Sequence, residues 1–477
     1  MSRTRFVLPL FLLFAVACAV NPATGRRELT LMTEGQEIAL GREADEDVTA
    51  SLGLVEDPDL QAYVADLGAR LAATSERPDL PWSFKVVDDP VVNAFALPGG
   101  FIYVTRGILA HFESEAELAG VLGHEIGHVT ARHSVSQMSR QQLQQIGLGV
   151  GMILSEDVRR YGGLVAAGLG ILNLSYSRGD ETQSDELGVR YMGRAGYDPR
   201  ALVGVFEMLA SVSGGEGGRV PEWTLTHPYP ENRETHIQEV IAASGLPEGG
   251  RVGRDAYVDR LDGLIYGEDP RQGYFRGSQF VHPDLAFQLR FPEGWTTVNQ
   301  RSSVAAISPG EDAVIVLELV SETSAPTTAL RSFLQQEGIR AGAVEEGVSG
   351  GVERASADFT ATTDEGEVRG AAHFLREGGR LYRILGYTGE STWRSHASAL
   401  RGVGQDFAVL TDPALLGVQP WRLEIVTLGQ AMTLTEFHAQ VPSPVSVEEL
   451  ARLNRRTPDA RLARGTRLKR VVGRPLP

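Results

Sequence analysis

Apolar residues recur at helical intervals through the first quarter of the chain. In "PDLQAYVADLGARLAAT", Leu60, Val64, Leu67 and Leu71 fall on one stripe, which predicts a helix buried along that face. The earlier run "NPATGRRELTLMTEGQEIALGREADEDV" starts polar and turns helical around Glu37, Ile38, Leu40 and Gly41. Then the period changes. "FKVV" and "FIYVT" read as strands, with Pro98-Gly99-Gly100 as the turn between Asn93–Leu97 and the second strand. Helical spacing returns in "ESEAELAGVLGHEIGHVTARH", where Leu118, Val121, Leu122 and Val129 supply a buried stripe. Ser114 and Glu117 form a capping-box start for this helix.

Beyond it, "IGLGVGMILS" and "YGGLVAAGLGILNLS" are rich in glycine and small apolar residues, and each is too short to cross a membrane. They predict a helical hairpin over 146–174, either a mobile cover near a site or buried core. After a compositional shift near Tyr266–Gly277, the runs "FQLRFP", "AVIVLELV" and "AAHFLREGGRLYRILGYT" predict an α+β domain over 278–411. The last stretch, 420–473, reads strand, helix, helix, strand. No repeat of solenoid period is present.

A length of 477 residues predicts two to four domains. An apolar fraction of 42% with 22% charged residues is ordinary for a globular protein, and a formal charge of −16 argues against a nucleic-acid partner. Arg3 and Arg5 precede "FVLPLFLLFAVA", an apolar run of 12 that is the shape of a signal peptide over 1–17. The only cysteine, Cys18, follows Ala15-Val16-Ala17 and resembles the lipidated residue of a bacterial lipobox. The expected location is the periplasm, with a lipid anchor in the outer membrane.

Three of the ten histidines crowd into "HEIGHVTARH". On a helix, His124 and His128 lie one turn apart on one face, so both imidazoles reach a single ion. Glu125 is offset by about 100°, beside the metal rather than on it, which is the general-base position of the H-E-x-x-H motif. Gly123 and Gly127 leave room for a strand or substrate to approach. His133, nine positions after His124, falls about 180° away on a continuing helix, which argues against ligation. Downstream, "SYSRGDETQSDELG" places Glu181 and Asp185 on one helix face. Spacing alone leaves the metal carboxylate open among Glu181, Asp180, Asp185 and Glu186.

"LGHEIGHVTARH", "YSRGDETQSDELG…MGRAGYDP" and "THPYPENR" together resemble the gluzincin zinc metallopeptidases of the CAAX prenyl protease/HtpX type. "NPATGRRELTL" after Cys18 resembles their lipid-anchored periplasmic members. The resemblance runs over about residues 20–265. It implies one zinc ion, Glu181 as third ligand, and Asp185 as the aspartate behind a ligating histidine. The family carries an acidic residue and alanine where this chain has Gln183 and Ser184. "NAFALPGG" resembles the family's edge strand, so that Asn93, Ala94, Phe95 and Ala96 would pair with an extended substrate. His227 has two readings: an oxyanion donor, or a latch in the open zinc position.

The resemblance organises the chain as an α+β multidomain protein. A mostly helical zincin-type domain with a small edge sheet occupies 18–270. An α+β domain weakly similar to PsbP follows at 278–411, and a LysM-like module at 420–473, although Gly429-Gln430-Ala431 replaces the usual glycine-aspartate-threonine. From Arg452 to Arg474 that module holds nine basic residues and one acidic, a face for anionic envelope polymer or simply a solvated one. The expected substrates are unfolded or misassembled envelope proteins. The other expectation is an adaptor that binds peptidoglycan or an assembly complex, with proteolysis secondary or latched.

Overall fold

The computed structural model describes residues 18–25, 27–147, 176–213, 221–227, 233–246, 249–320, 324–363 and 366–477. The signal peptide expected over 1–17, nearly all of the hairpin expected over 146–174, and Pro228 and Pro230 beside His227 lie outside the described residues. Contacts divide the chain into two units, Met1–Glu268 with Trp421–Gly473, and Asp269–Pro420 with Arg474–Pro477. Both mix helix and sheet.

The first unit opens with strands β1 (Cys18–Val20) and β2 (Arg27–Leu29), paired antiparallel, then helices α1 (Glu34–Leu52) and α2 (Pro58–Ala72). Helix α2 starts where Asp57 accepts from the amides of Asp59 and Leu60, and its stripe of Leu60, Val64, Leu67 and Leu71 is buried as the periodicity requires. Strands β3 (Ser83–Val87), β4 (Ala94–Leu97) and β5 (Phe101–Thr105) make one sheet in the order β3-β5-β4, with β5 central and β4 at an edge. Gly99 and Gly100 take positive φ in the turn between β4 and β5, where a side chain would be strained. Helices α3 (Arg106–His111), α4 (Glu115–Thr130), α5 (His133–Gly147), α6 (Arg178–Arg194), α7 (Ala201–Ser213), α8 (Glu222–Thr226), α9 (Arg233–Ala243) and α10 (Arg254–Asp259) follow.

Helix α4 is the core of this unit: all of its residues are buried, so it has no solvated face. Its start departs from the expected capping box. Ser114 accepts from the amide of Glu117 as expected, but the Glu117 carboxylate accepts from the amide of Glu113 instead. The two glycines of the motif serve helix packing rather than a strand or substrate. A Cβ on Gly123 would sit 3.3 Å from Gly188 Cα, and one on Gly127 would sit 3.1 Å from Ser184 Cα. Backbone contact between α4 and α6 therefore requires these small residues.

The second unit, in chain order, holds β6 (Tyr274–Arg276), β7 (Gln279–His282), β8 (Phe287–Arg290), β9 (Thr296–Asn299), β10 (Ser303–Ile307), β11 (Ala313–Val320), α11 (Pro326–Leu334), β12 (Ile339–Ala341), β13 (Glu345–Ser349), β14 (Val352–Thr363), β15 (Gly366–Glu377), β16 (Arg380–Gly389), α12 (Trp393–Gly402), β17 (Ala408–Val409) and α13 (Pro413–Leu416). An antiparallel sheet runs β12-β14-β15-β16-β11-β10-β9 with β13 on β14, and a smaller one runs β17-β8-β7-β6. The hairpin β15–β16 turns at Gly378-Gly379, both at positive φ.

The segment read as a last module contributes β18 (Arg422–Thr427), β19 (Met432–Thr433), α14 (Leu434–Gln440), α15 (Val447–Leu453), β20 (Arg461–Leu462) and β21 (Arg467–Val472), with β18 paired to β21 and β19 to β20. It packs into the first unit. Lys469, fully buried, donates to the carbonyls of Ala110 at 3.0 Å and Phe112 at 2.9 Å and pairs with Glu113 at 3.1 Å. Arg455 pairs with Glu117 and Glu207, and Arg467 with Asp255 and Asp259. With Arg452 on Glu449 and Arg470 on Glu424, five of the nine basic residues enter ion pairs inside this unit. The segment joins the unit beside residues 263–266. Gly263 donates to the Leu423 carbonyl, Leu423 to the Leu264 carbonyl and Tyr266 to the Trp421 carbonyl, each at 2.8 Å. Among the described residues no helix is long and apolar enough to cross a membrane.

Candidate metal centre

His124 and His128 turn their Nε2 atoms toward each other at 3.0 Å on one face of α4. Close packing of α6 against Gly123 and Gly127 delivers Glu181 to the same point. Its Oε1 lies 3.3 Å from His128 Nε2 and its Oε2 3.6 Å from His124 Nε2. His227, at the C-terminal end of α8, places Nδ1 3.3 Å from His124 Nε2 and 2.9 Å from Glu181 Oε1. One ligand atom from each of the four residues lies within 4.8 Å of the others, and all four residues are buried. Two imidazole nitrogens and a carboxylate are a donor set that catalytic zinc takes, with the fourth position open. Glu125 sits alongside: Oε1 is 3.5 Å from His227 Nε2 and 3.4 Å from Trp223 Nε1, while Oε2 is buried with no hydrogen-bond partner among the described residues. Such an orphaned acceptor is costly. It fits a site built to hold a proton-bearing ligand next to a metal.

The charges in the cluster are set by its neighbours. Burial pushes the His128 imidazole well below its usual range, which keeps it neutral as a ligand must be. Burial would raise Glu181, but His227 and the His128 hydrogen bond outweigh it and hold the carboxyl well below the usual range. Burial also works against a charge on His227, and Glu181 and Glu125 overcome it and raise its pKa.

Behind the cluster, Asp185 accepts from His124 Nδ1 at 2.9 Å, which leaves Nε2 of that ring free of a proton. Arg233, the first residue of α9, clamps Asp185 with Nε at 2.7 Å and Nη2 at 2.8 Å, and its Nη2 lies 3.0 Å from Glu181 Oε2. Its guanidinium stands 4.3 Å from the centre of the Phe206 ring. Tyr176 stacks on His128 with ring centres 3.8 Å apart, bonds Ser134 through its hydroxyl at 2.9 Å, and donates its amide to the Thr226 carbonyl beside His227.

Glu181, rather than Asp180, Asp185 or Glu186, is thus the carboxylate that joins the two histidines. His133 stays outside the four, although not for the angular reason. The helix does not continue: Arg132 adopts φ of 58° between α4 and α5, and His133 swings back to put Nδ1 3.0 Å from His128 Nδ1. Sequence reasoning missed Arg233 and Tyr176. Their only signal was membership of "THPYPENR" and "SYSRGDE".

Strand β4 lies at the sheet edge, and Asn93, Ala94, Phe95 and Ala96 are all buried. The Asn93 carbonyl accepts from Thr105, and the Asn93 Oδ1 is buried with no partner among the described residues. Cys18 begins β1, opposite Leu29.

Residues 58–241 match the model of Peptidase family M48. The beta-barrel assembly-enhancing protease of Yersinia pestis is 34% identical over 223 residues, covering 44% of this chain and 45% of the relative. The protein of that name from Escherichia coli (strain K12) is 31% identical, covering 46% and 47%. The mitochondrial metalloendopeptidase OMA1 of Arabidopsis thaliana is 33% identical, covering 39% and 38%. The chain therefore spans about half the length of the first two of these relatives. Among solved structures, cyanobacterial PsbP from Synechocystis sp. PCC 6803 superposes with a TM-score of 0.24 at 14% identity, over 28% of this chain and 94% of that one. The family match over 58–241 falls on the segment that brings His124, His128 and Glu181 together in the buried cluster, with His227 as its fourth member.

Proposed function

We propose that the protein is a zinc endopeptidase that degrades misfolded or misassembled cell-envelope proteins in the periplasm, anchored to the outer membrane through a lipid on Cys18. The convergence of His124, His128 and Glu181 beside Glu125 carries the reading. Relatives named beta-barrel assembly-enhancing protease support the substrate class.

Bound by His124, His128 and Glu181, zinc supplies Lewis acidity toward a peptide carbonyl and water. Glu125 takes a proton from the attacking water and returns it to the leaving amide nitrogen. Strand β4, last in its sheet, and Asn93 just before it hold an extended peptide by main-chain hydrogen bonds. Asp185 keeps the His124 ring in its ligating tautomer. Of the two roles for His227, the latch is favoured, because its Nδ1 already stands among the ligand atoms. His227→Ala then raises basal proteolysis. A fall in kcat on the order of 10²-fold would instead identify an oxyanion donor.

The test pairs elemental analysis with digestion of an unfolded outer-membrane protein. Wild-type chain holds zinc and cleaves; Glu125→Gln holds zinc and does not. A Glu125→Gln chain that still cleaves overturns the assignment. Cys18→Ser leaves the membrane fraction if the anchor is there. The adaptor reading, with binding to peptidoglycan or an assembly complex, draws less support from the basic stretch, since five of its nine cations face acidic partners within the first unit.

A further inference from the structure

Gln183 and Ser184, where the chain departs from the family pattern it resembles, both reach one side chain, His133. That ring is 2% exposed and lies between them and the metal cluster. Its Nδ1 is 3.0 Å from His128 Nδ1 and 3.3 Å from Ser184 Oγ, and its Nε2 is 3.1 Å from Gln183 Oε1 and 3.8 Å from Asp180 Oδ1.

Two imidazole nitrogens facing each other at 3.0 Å hold one proton between them, and its owner decides what His128 can do. If His128 Nδ1 carries it, the Nε2 that points at Glu181 and His124 keeps a lone pair for a metal. If His133 Nδ1 carries it, neutral His128 is protonated on Nε2 and cannot ligate. The far side of His133 settles the choice. The amide oxygen of Gln183 only accepts, so it takes the Nε2 proton of His133, and the Asp180 carboxylate favours the same placement. His133 Nδ1 is then an acceptor, facing the His128 N–H and the Ser184 hydroxyl.

We propose that Gln183, acting through His133, is the positioning group that sets the ligating tautomer of His128. The inference rests on the reading of His128 as a zinc ligand. His124 is oriented by a charged carboxylate clamped by an arginine, whereas His128 is oriented by a neutral ring and an amide.

Two measurements on the full chain test it: zinc affinity by chelator competition, and imidazole ¹⁵N shifts of the metal-free protein, which read each ring's tautomer. Gln183→Glu keeps the acceptor, so affinity stays within about threefold of wild type and His128 keeps its Nδ1 proton. Gln183→Lys replaces the acceptor with a donor and reverses the relay. Affinity then falls about 10–100-fold, the usual scale for groups behind a ligand, and the His128 proton moves to Nε2. Gln183→Met, which removes the acceptor without adding a donor, carries the test if the lysine variant does not fold, with a loss of about tenfold. Unchanged affinity with an unchanged His128 tautomer in the lysine or methionine variant overturns the proposal. A wild-type chain that binds no zinc would overturn the metallopeptidase reading instead, while the metal-free spectrum would still report the relay.

Discussion

The two ends of helix α4 are held by different physics. At its N-terminal end, Glu113 faces Lys469 at 3.1 Å and Arg254 at 2.8 Å, and Glu117 faces Arg455. Glu115 accepts from Tyr63 at 2.9 Å, Tyr197 at 2.6 Å and Arg251 at 3.2 Å. Burial alone would raise Glu113, but Lys469 and Arg254 keep it below the usual carboxylate range. At the other end, Gly123 and Gly127 let α6 touch the backbone, and hydrogen bonds to ring nitrogens orient the histidines. The first end is fastened by ion pairs to a segment more than 300 residues away in the chain. The second is shaped by packing and tautomers. Along a single helix, fold stability and metal chemistry are assigned to separate stretches.

That separation can be broken in order of effect. Glu181→Ala removes the carboxylate that joins both histidines, so zinc content after dialysis falls to background along with cleavage of an unfolded protein. At the opposite end, Lys469→Met leaves Glu113 with Arg254 as its cationic partner and takes the buried donor from the Ala110 and Phe112 carbonyls, which lowers unfolding free energy by about 3 kcal/mol, read by urea titration. Zinc affinity of the remaining folded protein stays at the wild-type value. If it drops as well, the two ends are not separable. Asp185→Asn weakens zinc binding by about 10–100-fold in chelator competition, with most activity recovered at saturating zinc. The smallest effect belongs to Arg455→Ala. Its side chain is 18% exposed and pairs with Glu117, and its loss lowers stability by about 1 kcal/mol with no change in metal affinity.

What could be read from the sequence follows the same division. The stripe of α2, the strands β3 and β5, the α4 histidines and the turn at Gly99-Gly100 are local patterns, and each stands where periodicity placed it. Glu181 needed a resemblance, because spacing could not choose among four neighbouring acids. His133 was kept off the metal by an angle that assumed an unbroken helix. A single left-handed residue, Arg132, which Arg-type side chains rarely favour, invalidated that angle and left the conclusion standing. Arg233 was legible only as a member of "THPYPENR", and Lys469 not at all. Their partners lie 48 and 359 residues away, and an arginine or lysine inside a polar run resembles any solvated cation. The basic C-terminal run was open to a surface reading for the same reason.

The hydrogen bonds joining 263–266 to 421–423 have a consequence for the chain as a polymer. They pinch residues 267–420 into a loop whose two ends are already tied together in the first unit. The entropy of closing a loop grows only with the logarithm of its length, by about 0.6 kcal/mol for each doubling. For the first unit, a twofold change in the length of the intervening segment therefore shifts stability by only about 0.6 kcal/mol. Replacing it with a glycine-serine turn of about five residues is about five halvings of its length, so it should stabilise the remaining unit by about 3 kcal/mol and raise its unfolding midpoint. The same neck makes this segment the part of the chain where insertions, deletions and whole-domain exchange are most readily accommodated.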